Sequence, residues 1–468
     1  MDTNQGTQTR RKFITKTSII AGGITLGPEL VSATPLKYPL GSQNDKIRMG
    51  FIGLGNRGSQ LLHRFMANDD VEIAAFCDIY EPYMNRDYSQ VDERWKAIGM
   101  IPKMGEDFPN VKKYADFRNL LEDKEVDAVC ISTPDHWHAL QTIAALEAGK
   151  DVYVEKPLTI NISEGRAMVE AQKKTDRVVA VGLNRRGSSI YQHLSKEIQG
   201  GKLGKVTVAR ALRVSNMAPE GIGKFKADTP PPGFNWDMWL GPRANRPYQF
   251  NIAPYKFRWW SDFSSQMGNW GVHYMDVIRW MMGERAPSAV SAVGGKYVLE
   301  HDGDIPDTME VLFEFASGAI VKFSIHEACG EGNIPNGELE LKGTLGNLVV
   351  DQNDYLVIPS RPGQFQTWDR HIDPEEYHIK SDKQYGDLNI SEDSTANLIR
   401  NFLDCVKSRE EPWCPLEEGH RSTSFAHLAN MALKTKSRLE WDADKEKVTN
   451  LDKANDLMTY TYRDPWKL

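Results

Sequence analysis

Cysteine is scarce in this chain. Its five cysteines, Cys77, Cys130, Cys329, Cys405 and Cys414, are scattered, odd in number and without C-x-x-C spacing. Neither a disulfide framework nor a zinc site is indicated. Extended basic tracts are also missing: the longest runs are as short as Arg10-Arg11-Lys12, and the net charge is −7. Binding a phosphate backbone needs concentrated positive charge, so nucleic acid is excluded as the main partner. No apolar run is long enough to cross a bilayer core of ~30 Å as a helix, which excludes a membrane anchor of that kind. Internal repeats and low-complexity tracts are absent as well.

What is present starts with an address. Thr9-Arg10-Arg11-Lys12-Phe13-Ile14 is a twin-arginine pattern, followed by the weakly apolar run Ser18 to Leu26 and the small-residue site Val31-Ser32-Ala33. Residues 1–33 are therefore expected to be a twin-arginine signal peptide, residues 34–45 an arm, and the protein periplasmic. No cysteine lies near the cleavage site to carry a lipid. The remaining length exceeds one ordinary domain of roughly 100–200 residues, so at least two are expected.

From Lys46 the pattern is α/β. Short apolar strands are predicted at Ile47–Ile52, Val71–Cys77, Val126–Ser132, Asp151–Val154 and Val178–Leu183. Helices are predicted between them at Gly58–Asn68, His138–Ala148 and Ser163–Thr175, with Asp116 as a helix N-cap. Near-continuous apolar strands separated by helices indicate a doubly wound parallel sheet, here assigned to residues 46–184. A polar, helix-leaning insertion runs from Pro82 to Asn110. The texture then changes. A helix at Ser189–Gln199, β-like runs at Val206–Val214, Ala289–Tyr297, Met309–Phe315, Ala319–Ile325, Glu338–Lys342 and Leu348–Val350, and helices at Thr395–Lys407 and Ser424–Arg438 predict a second, α+β domain. It spans residues 185–468 on a largely antiparallel open sheet.

Gly53-Leu54-Gly55-Asn56-Arg57-Gly58 closes the first strand and opens the first helix, the context in which G-x-G-x-x-G binds a dinucleotide. Gly53 permits the tight turn, Gly55 lets backbone approach the pyrophosphate, and Gly58 allows close helix–strand packing. Asn56 and Arg57 lie in the same loop, and the helix N-terminus presents free N–H groups to phosphate. Asp78 follows the second strand, where a carboxylate accepts the ribose hydroxyls and repels a 2′-phosphate. Ile79-Tyr80-Glu81 brings no arginine, so NAD is expected rather than NADP.

Three further segments are Ser132-Thr133-Pro134-Asp135-His136-Trp137-His138, Ala148-Gly149-Lys150-Asp151-Val152-Tyr153-Val154-Glu155-Lys156-Pro157 and Gly271-Val272-His273-Tyr274-Met275-Asp276. Together with the fingerprint they resemble the glucose–fructose oxidoreductase, inositol dehydrogenase and MocA (Gfo/Idh/MocA) family over residues 46 to about 440. The segment Asn235–Pro242 is similar to one common in exported members. The resemblance implies a substrate cleft between the two domains, action on sugars, polyols or their derivatives, and a homo-oligomer, dimer or tetramer. It also implies that the Lys156-Pro157 bond is cis. Thr133, Asp135, His138, Glu155 and Lys156 are implied as further cofactor contacts, with His138 the best placed toward the nicotinamide.

The residues themselves suit that chemistry. Lys156 ends a parallel strand, where doubly wound sheets place ligands, and an ammonium there can polarise a hydroxyl losing hydride. His273 is the expected base, since its ordinary pKa lies near working pH. Asp276, at i+3, is expected to share its helical face and orient the ring. Arg186, Asn269 and Tyr274 are expected to meet substrate, although Asn184-Arg185-Arg186 can equally be solvated charge. Many relatives carry aspartate where this chain has Asn269, and an amide cannot accept a proton. The burden then falls on His273 and Lys156. His136 and His138 near Asp135 could hold a metal, but no metal is expected, because the family sets this loop against the nicotinamide.

Twelve aromatics lie between Phe234 and Tyr274. Such rings suit the apolar faces of a pyranose, and packing accounts for most of them equally well. The function expected is an NAD-dependent oxidoreductase acting on a sugar, glycoside or polyol hydroxyl. Export in a folded state, to a compartment without free NAD, implies a tightly held cofactor regenerated in the same site. The alternative is an NAD-dependent glycoside hydrolase, in which oxidation is transient. A sugar-binding protein with a degenerate site is the third reading.

Overall fold

The computed structural model describes residues 46–98, 108, 110–330, 338–361, 363, 372–378 and 393–468. The segments expected to be a signal peptide and an arm, and part of the insertion, lie outside the described residues. Those described belong to one compact unit.

The first sheet is built from β1 (Ile47–Ile52), β2 (Val71–Cys77), β3 (Lys112–Tyr114), β4 (Ala128–Ile131), β5 (Asp151–Val154) and β6 (Val179–Val181), in the order β3-β2-β1-β4-β5-β6. All its pairings are parallel. β4, β5 and β6 are buried along their whole length, as expected of strands covered on both faces. The helix Asn56–Met66 lays Leu61, Leu62 and Phe65 against the sheet, one apolar stripe at helical spacing. Asp116 caps its helix through the N–H of Arg118, as predicted. Strand order reverses between β1 and β4, which opens a crevice at the carboxyl ends of the strands, where doubly wound sheets bind ligands.

The second sheet holds β7 (Val206–Val214), β8 (Pro287–Gly295), β9 (Thr308–Phe315), β10 (Ile320–His326), β11 (Leu339–Gly343), β12 (Gly346–Val350), β13 (Asp354–Pro359), β14 (Glu375–His378), β15 (Leu439–Asp442) and β16 (Lys447–Val448). Its order is β14-β13-β12-β11-β7-β10-β9-β8-β15-β16. Among the described strands of this sheet only β7 and β10 pair in parallel; the rest are antiparallel. The fold is thus α/β, a parallel Rossmann sheet followed by a mostly antiparallel one.

Met309, Val311, Phe313 and Phe315 form the inner face of β9 and pack toward the helices, with Phe313 and Phe315 both meeting Phe425. The helix carrying Phe425, Leu416–Thr435, starts two turns before the predicted Ser424. Its first turns bury the polar residues His420, Ser422 and Thr423, which disguises the apolar periodicity. This helix also packs against Ile162–Gln172 of the Rossmann domain. A Cβ at Gly165 would lie 2.2 Å from the His420 ring, so only glycine permits that approach. β13 to β16 are short and half-exposed, and periodicity did not reveal them.

The aromatic segment crosses back to the Rossmann domain. Phe234 packs edge-on against Tyr80 and Trp95, and Trp239 against Phe263 and His136. Most of these rings are packing, and they tie the second domain to the rim of the crevice.

Candidate active site

The fingerprint glycines each meet a different steric demand. Gly53 has φ +88°, and a Cβ there would lie 2.9 Å from the backbone of Ser132 and Thr133. A Cβ on Gly58 would lie 2.0 Å from the carbonyl oxygen of Gly53. At Gly55 the nearest neighbour of a Cβ is Tyr83 at 3.8 Å, so its hydrogen faces open space. The helix beginning at Asn56 has no side-chain cap on its N-terminal N–H groups among the described residues. Together they form a concave, N–H-lined cradle that fits a pyrophosphate.

Asp78 lines the same cleft. Its carboxylate accepts from the backbone of Leu54 at 2.6 Å and of Tyr80 at 2.9 Å. Burial pushes its pKa up to about 6. Asn56, Arg57 and Thr133 also line the cleft. Arg57 is tied back by its Nε to the buried Glu155 at 2.8 Å, and Thr133 donates to Gln141. The residues present therefore fit an NAD-type dinucleotide. The opposite wall comes from the aromatic segment, with Phe234, Trp239, Tyr255, Phe257 and Arg258 all on the cleft.

Lys156 follows β5 and precedes Pro157 through a cis peptide bond. Its Nζ donates to the carbonyl of Asn269 at 2.7 Å and to Asn269 Oδ1 at 3.3 Å. Burial pulls its pKa down to about 8, against the opposing charge of Glu155. His273 opens the helix Val272–Met281, directly after a π-helical turn at Met267–Gly271. Its buried Nδ1 has no hydrogen-bond partner among the described residues. Burial, then the charges of Lys156, Arg185 and Arg57, holds its pKa well below the ordinary value. The ring is neutral at neutral pH and free to accept a proton.

Several expectations need correction. Asp276 does not orient His273. It accepts from Arg186 through both oxygens at 2.8 to 3.1 Å and from Ser422 at 2.6 Å. Although i+3 keeps it near the His273 face, its carboxylate is taken up by buried partners, Arg186 and Ser422 of the helix Leu416–Thr435. Arg186 is accordingly not a substrate contact: Asp276, Glu418 and the carbonyl of Trp413 take up its guanidinium. Tyr274 is buried against Phe323 with the Arg185 guanidinium over its ring. His138 braces two loops, its ring nitrogens facing the carbonyls of Pro157 and Thr133. Asp135 is buried on Ser264 Oγ and lines a different cavity from the cofactor cleft.

Sequence pattern does not single out every residue here. Arg258, whose charge among aromatic neighbours is its local signal, lies over Tyr255 and Phe257 on the cleft. Gln266 accepts from Asn269 Nδ2 at 3.2 Å. Glu327, just past β10, accepts from Trp259 Nε1 at 2.9 Å and is pushed up to about 7 by burial. The Arg213 guanidinium sits 3.9 Å over the Trp270 ring. Nothing local in the sequence distinguishes Glu327 or Arg213 from other strand-end charges.

A sheet of order β3-β2-β1-β4-β5-β6 carrying this glycine cradle, Asp78 and a strand-end lysine defines an NAD-binding oxidoreductase. Models of one family match along the chain. Residues 47–183 match its "Oxidoreductase family, NAD-binding Rossmann fold" model, residues 242–349 its C-terminal domain, and residues 386–468 a C-terminal alpha/beta domain. The chain belongs to the Gfo/Idh/MocA family.

A myo-inositol 2-dehydrogenase from Thermotoga maritima is 25% identical over 397 residues, 83% of this chain and 97% of that protein. A glycosyl hydrolase family 109 protein from a Shewanella species is 33% identical over 135 residues, 28% of this chain and 27% of its own length. Among solved structures, a levoglucosan dehydrogenase in complex with NADH and levoglucosan superposes with a TM-score of 0.61 at 19% identity. That match covers 85% of this chain and 99% of the other.

Proposed function

We propose that this protein oxidises a secondary hydroxyl of a sugar, glycoside or polyol. The observation that carries the reading is a buried Lys156, held by Asn269 next to the Glu155 that binds Arg57 of the dinucleotide cleft. The lysine's charge helps keep a nearby His273 neutral, with its Nδ1 unpartnered among the described residues. Bound NAD supplies the hydride acceptor. The Lys156 ammonium, held by Asn269, donates to the substrate oxygen and stabilises the negative charge that develops there. His273 removes the hydroxyl proton. Asn269 positions Lys156 and takes no proton itself. The dehydrogenases named above support a carbohydrate substrate. The hydrolase reading is set aside, because that similarity spans only 135 residues.

The twin-arginine segment supports export to the periplasm, and export supports a cofactor that stays bound through successive turnovers. Oligomer formation is supported by apolar residues exposed on the outer face of the second sheet, Val293, Leu312, Ile320 and Ile358. Denaturing the purified protein should release NAD. Substrate alone should then give one absorbance burst near the nicotinamide band, with further turnover requiring an acceptor sugar. NADH accumulating in proportion to added NAD would overturn the closed cycle. Loss of the aglycone without net oxidation would overturn the oxidoreductase reading itself.

A further inference from the structure

A second cavity shares walls with the active site without containing Lys156, Asn269 or His273. It is bounded by Pro157, by the start of the π-helical turn and by the chain near Leu457, and has a volume of about 440 Å³. Small-molecule sites typically occupy roughly 300–1,000 Å³. Two side chains on its wall carry nitrogens that have no partner among the described residues, Asn161 Nδ2 and Gln266 Nε2. Both residues are more than nine-tenths buried.

The hydrogen-bond network settles which way the Gln266 amide points. Lys156 Nζ can only donate, so Asn269 must turn its oxygen toward it. The Asn269 NH₂ then faces Gln266, which must answer with Oε1. Gln266 Nε2 is left as an unspent donor. Asn161 is fixed by the same logic: its Oδ1 accepts the N–H of Glu164 as a helix cap, which leaves its NH₂. Buried donors without acceptors are rare in proteins and call for a partner.

The wall also supplies carboxylates, Asp135, Asp262 and Asp304, and the cations Arg243 and Lys434. Asp262 pairs with Arg243, and Asp304 accepts from Ser261. Amide donors interspersed with carboxylates match hydroxyl groups, each of which both accepts and donates. With three carboxylates against two cations, the wall disfavours an anion.

We propose that this cavity is a second binding site for a neutral polyhydroxylated molecule, a monosaccharide or polyol. Through Gln266 and Asn269 its occupant is joined to the active-site lysine by two amide hydrogen bonds. The inference does not depend on the redox reading, since it concerns binding alone.

The test uses D-glucose, with D-glucuronate as the anionic comparison, on the intact cofactor-loaded protein. Crystals soaked in glucose should show it against Asn161 and Gln266. In solution, ligand-observed NMR titration should show a glucose-binding step absent with glucuronate. Asn161→Asp keeps the helix cap but removes the donor, and Leu457→Trp fills the cavity from the far side. Each should weaken that step at least tenfold and leave turnover unchanged, which serves as the control for folding. Ordered water alone in the cavity would overturn the proposal. So would binding at crystal concentration only, or an unaltered titration in both variants. Neither variant touches Lys156 or His273, so failure here is distinguishable from failure of the oxidoreductase reading.

Discussion

Lys156 donates both to the backbone carbonyl of Asn269 and to its side-chain oxygen, at 2.7 and 3.3 Å. The amide therefore fixes the ammonium in place without neutralising it. An aspartate at 269 would add a negative charge at the same distance and favour the charged lysine.

That contact sets the pH behaviour. Lys156 is pulled down to about 8, and the charged form is the one that stabilises a developing alkoxide. Turnover should fall as pH rises through about 8. Asn269→Asp should move that limb to higher pH, and Lys156→Arg, which stays charged, should abolish it. A limb that stays in place in both variants would assign it to another group. Lys156→Ala should lose ~10²–10⁴ in kcat while retaining NAD.

His273→Ala should lose a similar ~10²–10⁴ without a change in the melting curve. Because the ring stays neutral well below its ordinary pKa, the wild-type profile should show no acid limb between pH 6 and 7. Activity within a factor of about three of wild type would remove His273 from the base role.

Asp276→Asn separates structure from chemistry. It leaves the buried Arg186 guanidinium with Glu418 as its remaining counter-ion. Breaking a buried pair costs about 3–5 kcal/mol, and the low end applies while Glu418 remains. Urea unfolding should show that loss, while kcat per folded molecule stays near wild type. A large drop in kcat at unchanged stability would return Asp276 to the catalytic group.

Asp78→Ala should narrow the preference for NAD over NADP by removing both a ribose acceptor and the repulsion of a 2′-phosphate. Competitive titration of the two dinucleotides on cofactor-stripped protein measures the change. An unaltered ratio would place the discrimination elsewhere on the cleft.

Much of the dinucleotide half was legible in the sequence because its signals are local. Glycine spacing, near-continuous apolar strands and an acid at a strand end all act within one β-α-β stretch. β1, β2 and β5 fall where periodicity placed them. The cradle follows from steric demands that glycine alone meets. The aromatic segment was equally visible as composition, yet composition carries no direction. Folding spends most of its rings on packing and sets Phe234, Trp239, Tyr255 and Phe257 on the cofactor cleft.

A Rossmann sheet with an NAD cradle, a strand-end lysine and a histidine on a later helix are all encoded in residue order. The partners that those side chains take come from the packed fold. Asp276 lies three residues from His273 yet bonds Arg186, 90 residues away, and Ser422, 146 residues away. His138 spends both ring nitrogens on loop carbonyls, and Gln266 and Asn269 together secure Lys156. The physical reason is that helical offset places a side chain on a face, whereas burial obliges it to find whichever opposite charge or acceptor the packed fold brings there.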